Sequence, residues 1–269
     1  MTLLVRTWNV FHGNAVPPVR EAFLETMVRC VTADGPDVVC LQELPVWSLT
    51  QLESWSGMTA VGAVAAPPRL GPMPWPAALG RAVTELHHGL LRSALTGQAN
   101  AVLVARRHHV VDARTLVLNP ARFRRAQGRW LGLDLVARLA WAKERRVCQA
   151  VRVELSGGGT VLVANLHATS YAADERLADA ELRRAGAFLE AFARPEEPLV
   201  LCGDANVLPE RSRTIPDLIA DGFSGPVQRI DQVLARGLPV SRLEAWPEER
   251  RRLGGRLLSD HAPVEAVVG

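Results

Sequence analysis

At five places in this chain an apolar run is bounded abruptly by an acid, an amide or a histidine, and those residues are the ones whose types could do chemistry. Trp8-Asn9-Val10 follows LLVRT, and Leu41-Gln42-Glu43 follows DVVC. Asn165-Leu166-His167 closes TVLVA, Gly203-Asp204-Ala205-Asn206 closes LVLC, and Ser259-Asp260-His261 precedes the last apolar run. A polar group at the end of a buried strand loses its water, and a cation shared among carboxylates and amides is one way to compensate it. The ordinary alternative is that Asn and Asp cap turns, which accounts for any one of the five taken alone. All five together are harder to assign to capping. The chain has only six asparagines, so Asn9 and Asn206 at equivalent-looking strand ends stand out.

The elements that must position these groups follow from hydrophobic period. Strands are expected over residues 2–10, 37–44, 58–66, 100–105, 110–118, 147–155, 160–166, 199–202, 228–235, 240–245 and 262–268. The run DVVCLQEL is near-continuously apolar, as in a strand buried on both faces. Gly157-Gly158-Gly159 joins two of the strands as a hairpin turn. Helices are expected over 19–33, with Phe23, Met27 and Val31 on one face, over 47–54, 77–93 and 214–220, and most clearly over 174–193. Residues 65–76 read as a proline-rich loop. The mixture of hairpins and helical crossovers gives an α/β protein of mixed sheets with helices outside, read as one domain over 1–269.

Composition narrows the class. With 269 residues, 48% hydrophobic and 22% charged, the chain can bury a large core, which excludes disorder, collagen and coiled coil. No apolar run approaches the roughly 20 residues of a membrane span, and the N-terminus lacks the pattern of a secretory signal. Four scattered cysteines without a C-x-x-C pair suggest neither a disulfide framework nor zinc. A cytoplasmic monomer is the expectation. Net charge is +3, nearly all of the positive charge being arginine, because Lys143 is the only lysine. The basic residues concentrate in 119–146, read either as a solvated arginine-rich segment or as a surface facing phosphates. The pairs His87-His88 and His108-His109 read as solvated, and most tryptophans as packing, although Trp47, Trp55, Trp75, Trp130, Trp141 and Trp246 could also stack on bases or lie against lipid.

Taken in order, TWNV (7–10), LQE (41–43), NLH (165–167), GDAN (203–206), RID (229–231) and SDH (259–261) resemble the signature blocks of the endonuclease/exonuclease/phosphatase superfamily. GD-x-N with a C-terminal SDH is the specific pair. The resemblance implies a four-layer α/β sandwich, two mixed sheets face to face with helices outside, and divalent-metal hydrolysis of a phosphate ester. It implies Glu43 as main metal ligand, helped by Asn9 and Asp260; these hard oxygen donors suit Mg²⁺ or Mn²⁺. Asp204 would orient or deprotonate the attacking water, and Asn206, pointing to the same side of an extended chain, would hold phosphate or nucleophile. Asp231 would hold His261 as an imidazolium, and His167 would bind phosphate or protonate the leaving group.

His167 separates the branches that the resemblance covers. Apurinic endonucleases tend to carry tyrosine there, whereas deoxyribonuclease I, sphingomyelinases and phosphatases carry histidine. The glutamate that supports this histidine in deoxyribonuclease I is missing, since GQANAVL offers only the amides of Gln98 and Asn100. The leading expectation is a metal-dependent phosphodiesterase acting on nucleic acid, with Asn100, Arg122, Arg124 and Arg125 on the substrate. The alternatives are a phosphatase or phospholipase acting on an inositol phosphate or sphingomyelin-like head group, and an inactive member that binds phosphate-rich ligands or protein.

Overall fold

The computed structural model describes residues 2–19, 21–70, 73–76, 79–82 and 95–269. Eleven longer strands among them are β1 (Leu3–Asn9), β2 (Val38–Leu44), β3 (Thr59–Ala66), β4 (Gln98–Val104), β5 (His109–Val117) and β6 (Val147–Glu154), then β7 (Thr160–His167), β8 (Leu199–Asp204), β9 (Asp231–Arg236), β10 (Val240–Ala245) and β11 (Val264–Val268). They form a six-stranded sheet in the order β10-β11-β1-β2-β4-β3 and a five-stranded sheet in the order β9-β8-β7-β6-β5. Helices α1 (Leu24–Thr32), α2 (Leu52–Ser56), α3 (Ala121–Trp130), α4 (Leu135–Lys143), α5 (Arg176–Phe192) and α6 (Thr214–Ala220) complete the framework used below.

Side-chain alternation builds the layers. Val38 and Cys40 of β2 point inward to meet Val200 and Cys202 of β8, in a core of mostly valine between the two sheets. Their neighbours Val39 and Leu41 point outward onto Met27, Val28 and Val31 of α1. On the opposite side Leu199 and Leu201 meet Ala178, Leu182, Ala185 and Leu189 of α5. The result is the helix–sheet–sheet–helix sandwich that the resemblance implied. It explains why DVVCLQEL is apolar on both faces: both are covered.

Strand direction then decides where the strand ends go. β1 runs parallel to β2, and Asn9 pairs with Gln42. β7 runs parallel to β8, and His167 pairs with Asp204. β9 is antiparallel to β8, so its first residue Asp231 lies opposite Asp204. β4 and β6 run antiparallel to β2 and β7, which brings their beginnings, Gln98 and the Arg146–Val147 junction, to that same edge. β11 is antiparallel to β1, with Val264 opposite Thr7, so Asp260 and His261 arrive just before it at the same edge.

Several boundaries differ from expectation. α1 begins at Leu24, not 19, and the amide of Phe23 just before it donates to Gly13 O instead of joining a helix. The segment 119–146 folds as a hairpin of α3 and α4. Asn119 Oδ1 accepts from the Arg146 amide, and its Nδ2 donates to Glu144 O, closing the hairpin base. His108 is not solvated; it is buried, with Nε2 2.6 Å from Asp37 Oδ1 while Nδ1 accepts from the Ser156 amide. His87, His88 and most of the helix expected over 77–93 lie outside the described residues. No helix among the described residues is long and apolar enough to cross a membrane.

Candidate active site

Each candidate side chain is aimed by a local departure from regular structure. In the β2–β4 ladder the register shifts between Leu41 and Leu44, a β-bulge, and Glu43 within it has φ +56°. Such bulges re-aim a side chain; here Glu43 turns out of the ladder at the open edge. Gly203 has φ +128°, and a Cβ there would lie 2.0 Å from Leu166 O, so only glycine lets β8 pass this close to β7 before Asp204. Asn206 has φ +48° and Ser259 has φ +61°. The chain is therefore not extended through Asn206 as expected. Its backbone turns so that the Asn206 amide donates to Asp204 Oδ1 while Nδ2 donates to Ala168 O.

The candidate groups converge. His167 Nε2 is 3.6 Å from both Glu43 Oε1 and Asp204 Oδ2. Asn9 Nδ2 donates to Asp204 Oδ2 at 2.9 Å, and Asn9 Oδ1 accepts from the Phe11 amide. His261 Nδ1 is 2.8 Å from Asp231 Oδ2, and its Nε2 lies 3.9 Å from Asp204 Oδ2. Asp260 is exposed at the rim, close enough for its charge to act on Glu43 and His261.

Burial and neighbouring charge set the protonation states. Desolvation raises the Glu43 carboxyl, against which the Arg146 charge and the Asn9 hydrogen bond act. Desolvation, then repulsion from Asp231, pushes Asp204 up to about 7. Burial opposes the His261 imidazolium, yet the hydrogen bond it donates to Asp231 and the charges of Asp204, Asp231 and Asp260 raise it to about 10. His167 goes the other way: burial first, then the Arg146 charge, hold its imidazole well below the ordinary value. The site thus pairs a protonated histidine with a neutral one.

Three contributors were not found from sequence. Arg146 Nη1 lies 2.9 Å from each ring nitrogen of His167, and its Nη2 pairs with Glu144 at 2.7 Å. It is the member of the arginine-rich segment that reaches this cluster; its position just before β6 was the available signal. His12 Nε2 stands 3.7 Å from Glu43 Oε2. Arg251 holds the Ser259–His261 turn by donating from Nη1 to the carbonyls of Leu258, Ser259 and His261 at 2.8–3.1 Å.

Other expected residues fall elsewhere. Asn100 is buried and donates to Val147 O, a structural contact. Gln98, one pleat nearer the edge, is the amide beside His167, with Nε2 3.4 Å from Nδ1. Arg124 and Arg125 line a separate depression with Arg129, Arg138 and Trp141, and Arg122 is exposed on α3. Gln42 and Asn165 form a buried clamp between the sheets: Gln42 Nε2 donates to Asn165 Oδ1 at 2.6 Å, and Asn165 Nδ2 donates to Leu41 O and Ala101 O.

The donor set also fits a divalent ion. Glu43 and Asp260 offer carboxylate oxygens and Asn9 an amide oxygen, hard donors beside a carboxyl whose burial is incompletely offset. Asp204, Asp231 and His261 likewise present ligand atoms within 4.8 Å of one another. In that trio His261 Nδ1 is already engaged by Asp231.

Residues 7–261 match the model of the Endonuclease/Exonuclease/phosphatase family. Solved structures similar to this chain include an endonuclease/exonuclease/phosphatase from Beutenbergia cavernae at 20% identity and TM-score 0.66, covering 99% of this chain and 71% of that one. A mannosyl-6-phosphatase from Bacteroides thetaiotaomicron matches at 15% identity and TM-score 0.66, covering 99% of both chains. Truncated TDP2 from Caenorhabditis elegans matches at 17% and 0.61, covering 100% of this chain and 97% of that one. At these identities the likeness is one of fold. No curated protein matches the sequence.

Proposed function

Because this chain belongs to the endonuclease/exonuclease/phosphatase family of metal-dependent phosphoesterases, we propose that the cluster at its sheet edge hydrolyses a phosphodiester by in-line attack of water. The observation that carries this reading is the meeting of Glu43, His167 and Asp204 from three strands of two sheets, with His167 Nε2 3.6 Å from both carboxylates. Glu43, Asp260 and Asn9 would hold Mg²⁺ or Mn²⁺, which supplies positive charge to the phosphate oxygens. Asp204, hydrogen-bonded by Asn9 and by the Asn206 amide, orients the attacking water and accepts its proton. The imidazolium of His261, kept charged by Asp231, faces the phosphate and stabilises negative charge as it builds. Neutral His167 and the Arg146 guanidinium lie against each other, placed to engage the ester together.

Nucleic acid is the first substrate class. A depression of about 480 Å³ next to Gln98 is walled by Arg69, Lys143 and Arg145, where the next phosphate of a strand would lie. A phosphorylated head group is the second reading. The same depression carries Ala65, Ala66, Pro67 and Ala142, apolar groups that suit the carbon skeleton of a head group. The test is a substrate panel of plasmid DNA, single-stranded DNA, RNA, inositol phosphates and sphingomyelin-like esters with Mg²⁺, with and without chelator. Cleavage of either polymer, falling steeply with salt, supports the first reading. Cleavage of head-group esters alone supports the second. No metal-dependent turnover on any of them refutes the proposal and leaves a binding protein.

A further inference from the structure

The hairpin of α3 and α4 has an outer surface for which neither the core nor the catalytic cluster has a use. The four most exposed large apolar side chains of the described residues all fall within it: Trp130 at 72%, Leu135 at 71%, Val136 at 64% and Leu139 at 62%. At 100° per residue, the buried face of α4 carries Ala137 and Trp141, packed beneath Leu133 and Leu177. Leu135, Val136 and Leu139 fall together on a different face, with Trp130 just before the turn. α4 is thus apolar on two sides and buried on one. Isolated exposed leucines are ordinary, whereas a contiguous set on one helix marks an interaction surface.

Charge identifies the occupant. Residues 121–143 hold six basic side chains against one acid, Asp134, so the hairpin's excess of five exceeds the +3 of the whole chain. Asp134 itself is engaged in capping α4 through the Ala137 amide. Arg125 and Arg129 of α3 and Arg138 of α4 line one depression of about 360 Å³ between the helices. On α4 the wall of that depression adjoins the Leu135–Leu139 ridge. Aliphatic side chains and a tryptophan flanked by arginines match an anionic lipid surface, with the apolar groups below the head groups and the guanidinium groups among them. A second copy of this chain would set like charges against each other. A nucleic acid strand would leave the leucines and valine without partners, since its recognition uses phosphate contacts and aromatic stacking.

From these observations we infer that the α3–α4 hairpin docks this protein on the surface of anionic membranes. The inference goes beyond the proposed chemistry, because it concerns where the enzyme sits and not which bond it breaks. The ridge leads into the cleft: Lys143 follows Leu139 by four residues on the same helix face and lines the depression beside Gln98. Docking would therefore turn the mouth of the site toward the head groups.

The test is sedimentation of the full chain with vesicles of phosphatidylcholine, alone or with phosphatidylglycerol. The protein should pellet with the mixed vesicles and not with the neutral ones, and binding should weaken with added salt. L135S/L139S should lose binding by roughly tenfold or more for each leucine that inserts. R129Q/R138Q should retain the fold and shift binding toward that of neutral vesicles. Turnover of a small soluble phosphodiester should be unchanged in the leucine variant, which separates this surface from the catalytic cluster. Equal binding to both vesicle types, or full binding by L135S/L139S, overturns the inference. So does light scattering that shows a dimer abolished by L135S/L139S, or protection of the hairpin from proteolysis by DNA and not by vesicles.

Discussion

Replacing Asp231 with Asn tests the electrostatic core of the site with little change in shape. In the native protein Asp231 Oδ2 is 2.8 Å from His261 Nδ1, and this contact with its neighbouring charges carries the imidazole from its ordinary 6.5 to about 10. That difference corresponds to roughly 5 kcal/mol favouring the imidazolium, which caps the loss of turnover at about 3,000-fold if all of it acts in the transition state. The sign follows from linkage. A histidine raised on folding stabilises fully below 6.5 and loses that contribution as pH rises through about 10. Wild-type kcat should therefore show no histidine-dependent decline between pH 6.5 and 9, whereas D231N should fall steadily over that window. The variant's deficit in melting temperature should likewise be larger at pH 6 than at pH 10. The assay is kcat against pH on a small phosphodiester with saturating Mg²⁺, together with thermal unfolding at both pH values. A D231N profile parallel to wild type and within about threefold of it would show that His261 does not act as an imidazolium.

Three other perturbations probe the remaining roles. D204N should lower turnover by about 10³-fold or more yet raise the melting temperature at pH 8. A carboxyl pushed up to about 7 destabilises the fold increasingly as pH climbs from 3.8 to 7, and the amide relieves that penalty; a lower melting temperature at pH 8 would contradict the desolvation argument. R146Q should raise KM by about tenfold with a smaller effect on kcat, because the guanidinium on His167 would meet the ester in ground and transition states alike; an unchanged KM would place Arg146 in a purely structural role. Chelation should abolish turnover, and Mg²⁺ at about 100 times its dissociation constant should stabilise wild type by about 2.7 kcal/mol. E43Q should lose most of that gain, and an E43Q protein stabilised as much as wild type would move the ion elsewhere.

The sandwich was legible because alternation and length report burial directly. DVVCLQEL could be read as covered on both faces, and Asn9, Glu43, Asp204 and His261 could be read as oddities at strand ends. What could not be read was direction. Whether six strand ends share one edge depends on which neighbours are parallel, and the pairings of Asn9 with Gln42 and of His167 with Asp204 are long-range facts. Arg146 was hidden for a related reason: nothing local distinguishes it from Arg145, and only the start of β6 beside His167 selects it. Asn100 was favoured over Gln98 by expectation; the two share a face of β4, and Gln98, nearer the edge, is the one that stands beside His167. His108 looked solvated because its partner, Asp37, lies 71 residues away.

The backbone geometry of the cluster explains why so much clamping lies beneath it. Six non-glycine residues among those described have positive φ, and Glu43, Asn206 and Ser259 belong to the recognised blocks while His12 stands beside Glu43. Each such conformation costs on the order of 1–3 kcal/mol and persists only where its surroundings over-determine it. The surroundings do so here. The bulge at Glu43 begins one residue from Gln42, whose amide is fixed across the sheets on Asn165. The Ser259 turn is fixed from below by its own Oγ on Asn9 O and from the side by Arg251 on three carbonyls. The Asn206 turn is fixed by its Nδ2 on Ala168 O. Gln42, Asn165 and Arg251, engaged within the fold, thus hold the carboxylates and histidines in a strained arrangement before any substrate arrives. Preorganised groups of this kind need not reorganise as charge develops on the phosphate, and that is where electrostatic catalysis gains most.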